Sequence, residues 1–128
     1  MTCHNILLQS ALEQGELIRS REISARELLE LHVRQYKKHH DKINAVIFTR
    51  LEEARATADQ LDEELRKGTS RGPLHGVTMT VKDSYDLLGT PSTWGIPELR
   101  ASFPDTDSLA VTRLKAAGLV IYGKTNVP

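Results

Sequence analysis

The run Val77-Thr78-Met79-Thr80-Val81 alternates apolar and polar residues, and Lys82 follows it directly. Strict alternation marks a strand with one buried face. Val77, Met79 and Val81 share the face expected to pack into a core, and Thr78, Thr80 and Lys82 share the other. Lys82 then emerges at the carboxyl end of the strand, the edge at which open α/β sheets bind ligands. An amine drawn out of water favours its neutral form, and a neutral amine is a competent general base. The same spacing also suits a solvated lysine held in an ion pair, with Asp83 as its partner.

Other patterns with chemical content carry less. Gly118-Leu119-Val120-Ile121-Tyr122-Gly123-Lys124-Thr125 matches the written form of a phosphate-binding loop. Such a loop needs flexible residues between its glycines, a strand before it and a helix after it. Here bulky strand formers fill the middle, a helix comes before, and Asn126-Val127-Pro128 resists helix, so nucleotide binding is not expected. His4, His32, His39, His40 and His75 are scattered. His32 and His39 lie seven apart and could share a helix face with Tyr36, but no further ligands at metal-binding spacing accompany them, so they read as surface or helix-end histidines. Cys3 stands alone, which excludes an intrachain disulfide and a cysteine-based zinc site. Trp94, among Thr, Ser and Gly, reads as a loop anchor.

The elements that must position Lys82 follow from periodicity. Ile6, Leu7, Leu8, Ala11 and Leu12 predict a short amphipathic turn or two, with Gly15 as the stop. Ser24-Ala25-Arg26-Glu27 is a capping box that opens a helix expected to end near Lys37-Lys38-His39-His40. Asn44 to Phe48 predicts a buried strand. Leu51, Ala54, Ala58, Leu61 and Leu65 form one stripe of a long helix closed by Lys67-Gly68, a core face rather than a coiled coil. Seven of the eight glycines and all five prolines lie from Gly68 onward. Gly89 to Gly95 reads as loop. Asp105 to Ser108 offers caps for a helix with the stripe Ala110, Leu114 and Ala117, closed by Gly118. Leu119 to Tyr122 predicts a second buried strand. The expected fold class is α/β: N-terminal helices followed by part of a mixed β-sheet with covering helices. Residues 1–42 form a helical arm and 43–128 the start of the α/β core.

Composition narrows the function classes. The chain has 128 residues, room for one domain at most or a piece of a larger one. Seventeen Lys and Arg balance seventeen Asp and Glu, so the net charge is zero. That disfavours both a coat on nucleic acid and a polybasic membrane anchor. The start Met1-Thr2-Cys3-His4-Asn5 has no basic run leading into an apolar stretch, and no window approaches the ~20 apolar residues of a membrane helix. A cytoplasmic location is expected.

The segment Gly72-Pro73-Leu74-His75-Gly76-Val77-Thr78-Met79-Thr80-Val81-Lys82-Asp83 resembles the lysine strand of the amidase signature family. Gly89-Thr90-Pro91-Ser92-Thr93, Pro104-Asp105-Thr106-Asp107 and the stretch Leu114 to Asn126 follow in the family's order. Ser24 to Leu28 and Ile43-Asn44-Ala45 are also similar to it. The resemblance implies hydrolysis of a small-molecule amide by a serine, a cis-peptide serine and a lysine, with no cofactor and no metal. Lys82 matches the family lysine and takes the role of general base. Both serines of the family pattern lie in a Gly/Ser-rich segment after the Thr-Asn stretch, and Ser84, Ser92, Ser102 and Ser108 do not lie in one. The chain therefore reads as an N-terminal fragment of an amidase, inactive alone. Thr78 stands where the family often has proline, and Ser84 where asparagine is common. One alternative is the A subunit of a glutamyl/aspartyl-tRNA amidotransferase, which works with partner subunits, and another is a non-catalytic truncated product; a homodimer is also open as a partner. No direct contact with nucleic acid or membrane is implied. With apolar stripes on at least three helices and only about three strands to cover, the isolated chain is expected to be partly folded or aggregation-prone; a sharp two-state melt of the purified chain would count against this.

Overall fold

Two capping boxes set the helical layout. The computed structural model describes residues 3–128, with side chains from residue 5 onward, so the readings of Met1, Thr2 and the Cys3 and His4 side chains fall outside the described residues. After the short α1 (Cys3–Leu7), α2 (Ala11–Arg19) opens at Ser10, whose hydroxyl accepts from the Glu13 amide at 3.2 Å while Glu13 accepts from the Ser10 amide at 2.7 Å. Ser24 and Glu27 repeat the arrangement at the start of α3 (Ala25–Ile43), as expected from sequence. Gly15 does not stop α2. It lies inside the helix and is buried, because α2 passes so close to the loop before β2 that a Cβ there would sit 2.0 Å from the Pro73 carbonyl oxygen. α3 also runs past Lys37–His40, to a left-handed Asn44 whose amide donates to the His40 carbonyl at 2.7 Å.

α3 packs on α4 (Leu51–Arg66). Leu29 and Val33 meet Ala54, Ala58 and Leu61 over Val120 and Tyr122, so the α4 stripe is core as expected. The small alanines let the helices approach, and charge locks them. Asp62 of α4 accepts from the Ala25 and Arg26 amides at 2.7 and 3.0 Å, capping the neighbouring helix, and Arg55 reaches Glu30 at 2.7 Å.

The sheet has the order β1-β3-β2. β1 (Val46–Thr49) pairs antiparallel with β3 (Val120–Thr125), and β2 (Thr78–Lys82) pairs parallel with it. The fold is mixed α/β, as the sequence implies. β1 is not buried; it is an edge strand, with Ile47 exposed. β3 is central and enclosed through Lys124, which removes the phosphate-loop reading: its backbone is extended in the ladder and unavailable to curl around an anion. In α5 (Leu109–Ala116) the buried residue is Val111, packed with Val81, Leu87 and Ile121, while Ala110 is exposed. The expected stripe is thus turned by about one residue, with Leu114 only half-buried.

Two single-residue expectations also change. His75 is fully buried rather than superficial. Its Nε2 donates to the Leu61 carbonyl at 2.8 Å and its Nδ1 accepts from the Arg71 amide at 3.0 Å, which joins α4 to the loop leading into β2. Trp94 is largely solvent-facing rather than a packed anchor; it is 58% exposed, on a left-handed backbone.

Gly15→Ala is expected to lower stability by about 1–3 kcal/mol, since the Pro73 carbonyl is backbone and cannot swing aside; a urea midpoint checks it. The loop before β2 adds a pH dependence. Arg71 grips Glu64 through two bonds, 2.9 and 2.6 Å, and holds its carboxyl at about 2 instead of 4.5. A folded-state value below the unfolded one stabilises above pH 4.5, and that contribution is lost as the pH falls towards 2. Being partly exposed, the pair is worth at most about 1 kcal/mol. Stability curves of Arg71→Met should lack that part of the acid slope.

Candidate active site

Lys82 is the last residue of β2, opposite Thr125 of β3, and its carbonyl accepts from the Tyr85 amide at 2.9 Å as the chain turns away. Its side chain is exposed, whereas Val81 and Asp83 on either side are buried. Lys82 lines an open groove of about 400 Å³ along the free edge of β2, with Met79, Thr80, Tyr85, Arg113 and Leu114. The two faces of β2 are less unequal than alternation implies: Val77 and Val81 are buried, but so is Thr78, whose hydroxyl lacks a hydrogen-bond partner.

Asp83 is not the partner of Lys82. It turns inward, 1% exposed, to a second lysine, which the sequence offered only within the rejected phosphate-loop pattern. Lys124 is fully buried. Its ammonium donates to the carbonyls of Asp83 and Pro91, both at 3.0 Å, and to the Ser92 hydroxyl at 3.1 Å, and lies 3.6 Å from Asp83 Oδ1. Asp83 Oδ2 in turn accepts from the amide and hydroxyl of Thr93 at 3.1 and 2.5 Å. Burial lowers the Lys124 pKa from the ordinary lysine value, and the Asp83 carboxylate opposes that. A sequence signal existed: a lone lysine at the end of the apolar run Leu119 to Gly123.

The contact between Lys124 and Ser92 has the composition of a base and a nucleophile, but its wiring is wrong for that use. All three ammonium protons face acceptors, so the nitrogen has no lone pair to offer. The Ser92 hydroxyl donates to Asp86 Oδ1 at 2.7 Å and is itself buried. Ser108 caps α5 by accepting from the Val111 amide at 3.3 Å. Among the described residues no three His, Cys, Asp or Glu side chains converge as a metal site, and no helix is long and apolar enough to cross a membrane.

Comparison with known proteins gives the family. The family model described as Amidase matches residues 27–128. An indoleacetamide hydrolase of Bradyrhizobium diazoefficiens is 35% identical over 119 residues, covering 93% of this chain and 23% of that protein. The glutamyl-tRNA(Gln) amidotransferase A subunit of Streptomyces coelicolor is 35% identical over 123 residues, covering 96% of this chain and 25% of that protein. The solved peptide amidase of Stenotrophomonas maltophilia superposes with a TM-score of 0.88 at 28% identity, over 94% of this chain and 25% of that one. The chain spans about a quarter of the length of the curated relatives it matches. With the family match covering most of its residues and the lysine strand in its expected place in a mixed sheet, the chain belongs to the amidase family.

Proposed function

We propose that the chain provides the general-base lysine of an amide hydrolase and is inactive by itself. The observation that supports this reading is the position of Lys82, at the carboxyl end of a parallel strand with its side chain free and an open groove beside it. Lys82 takes a proton through the hydroxyl of a cis-peptide serine, and a second serine attacks the amide carbonyl carbon. Backbone amides near that nucleophile receive the oxyanion. The ammonium so formed returns its proton to the departing nitrogen as the C–N bond breaks, and water then frees the acyl group from the serine. Both serines belong to the Gly/Ser-rich segment of the family pattern. The substrate is a small-molecule amide, no cofactor takes part, and the protein works in the cytoplasm.

A second reading, the A subunit of a glutamyl-tRNA amidotransferase that releases ammonia from glutamine for its partner subunits, draws support from the Streptomyces relative. Asn126-Val127-Pro128 favours the general amidase, since tRNA-linked members often carry methionine and an acidic residue there.

The test joins this chain to the remaining three quarters of the Bradyrhizobium hydrolase and follows ammonia release from indoleacetamide and from glutamine. The fusion is expected to hydrolyse an amide, and the unextended chain to hydrolyse none. Lys82→Ala in the fusion should lower kcat/KM by about 10²–10⁴-fold with the melting midpoint unchanged. Turnover retained in that variant removes Lys82 from the mechanism. Preference for glutamine, with dependence on partner subunits and charged tRNA, would select the second reading.

A further inference from the structure

Lys124 is the one lysine among the described residues that is fully buried, and the hydrolysis proposed above does not use it. An enclosed ammonium is costly unless each of its protons has an acceptor. Here the acceptors come from both ends of one loop. The Asp83 carbonyl lies immediately after Lys82, and the Pro91 carbonyl and Ser92 hydroxyl lie at the loop's far end. Thr93 closes the ring by donating twice to the Asp83 carboxylate, and Ser92 is held in addition by its hydroxyl donating to Asp86 Oδ1 and its amide donating to the Ser102 carbonyl at 2.9 Å. Lys124 sits on β3 beside Val81, and the Asp83 amide continues the ladder by donating to the Thr125 carbonyl at 2.8 Å.

This wiring fixes a direction. Successive residues of an extended chain point to opposite faces. Asp83 is the first residue of the turn after β2, yet its amide still completes the ladder with Thr125 while its carbonyl and carboxylate are held inward, so the side chain of Lys82, the last strand residue, leaves on the other face, where it is exposed. We infer that Lys124 is a positioning residue for Lys82: through Asp83 and the 83–93 loop it sets the direction in which the Lys82 amine leaves the end of β2. This rests on the reading of Lys82 as the base. Lys124 touches no substrate.

The test has a labelling arm and a kinetic arm, both on the fusion described above. Acylation by a water-soluble amine reagent, read at each lysine by mass spectrometry, is expected to label Lys67 and to spare Lys124 by about 100-fold or more. Lys124→Met should speed amide hydrogen exchange across residues 83–93. In the fusion, at a temperature where the fold is intact, Lys124→Met should lower kcat about 10–100-fold with KM within about twofold, because a misdirected base costs the chemical step rather than binding. A purely stabilising lysine would lower the melting midpoint and leave the kcat of folded protein unmoved. Lys124→Cys, aminoethylated while unfolded to restore an ammonium of similar reach, should recover most of kcat. If Lys124→Met does not fold, Thr93→Val and Ser92→Ala each remove one tie and should lower kcat about 2–10-fold; unchanged kcat in both overturns the assignment. Acylation of Lys124 as fast as Lys67, or full kcat in Lys124→Met, also overturns it. Full turnover in the Lys82→Ala fusion removes the base and the positioning role together, and is distinguished by leaving the protection of Lys124 and the exchange behaviour of the loop as expected.

Discussion

A single enclosed cation organises the end of β2. The Lys124 ammonium is shut away from water and survives there because two backbone carbonyls, a hydroxyl and a nearby carboxylate surround it. The dependence runs both ways. Without the cation, the Asp83 carboxylate would be buried beside carbonyls that repel it, and without Asp83 the cation would lack its counter-charge. An apolar side chain in place of Lys124 would leave the Asp83 and Pro91 carbonyls without this donor. The strand that ends at Lys82 and the loop that follows it are therefore fastened by charge as well as by the apolar packing of Val81 and Leu87 against Val111 and Ile121.

The helical layer is held by a different balance of forces. Where α3 and α4 cross, the contact is made by small and branched apolar residues, and the polar rim is a chain of alternating charges. Arg26 bonds Glu30 and Asp59, and Arg55 bonds Glu30 and Glu52. Glu30 is pulled below the ordinary carboxylate range, chiefly by Arg55. These bonds lie near the surface, so they fix the register of the two helices more than they add stability. Asp62 contributes more specifically, because it satisfies two amides at the start of α3 that would otherwise have no partner within the helix.

What the sequence made legible was local. The Ser24 capping box, the α4 stripe, the alternation into Lys82 and the apolar run of β3 all depend on neighbours a few residues away, and each led to the right element. The lysine strand and the mixed sheet were readable on that basis. The misreadings share a cause at long range. Gly15 looks like a helix stop until the Pro73 carbonyl is brought against it by the tertiary fold. His75 looks superficial until α4 supplies a carbonyl for its ring. Asp83 looks like the partner of the residue beside it, but the competing charge is 41 positions further along the chain. The apolar run of β1 carries no mark that its strand ends up at the edge of the sheet. Lys124 was hidden for a related reason: its surroundings are assembled from backbone carbonyls, and sequence patterns carry no sign of where a carbonyl will point.

The strand order has a kinetic corollary. β3 lies between β1 and β2, yet it is the last of the three to be synthesised. Residues 46–49 and 78–82 leave the ribosome without a ladder partner and must wait, extended or collapsed on the helices, until residues 120–125 arrive to insert between them. Such distant pairing makes sheet closure slow and leaves bare strand edges in the nascent chain. The α3–α4 pair, complete before β2 is made, is the natural platform on which those strands are stored until the ammonium of Lys124 reaches its carbonyls and bolts the sheet shut.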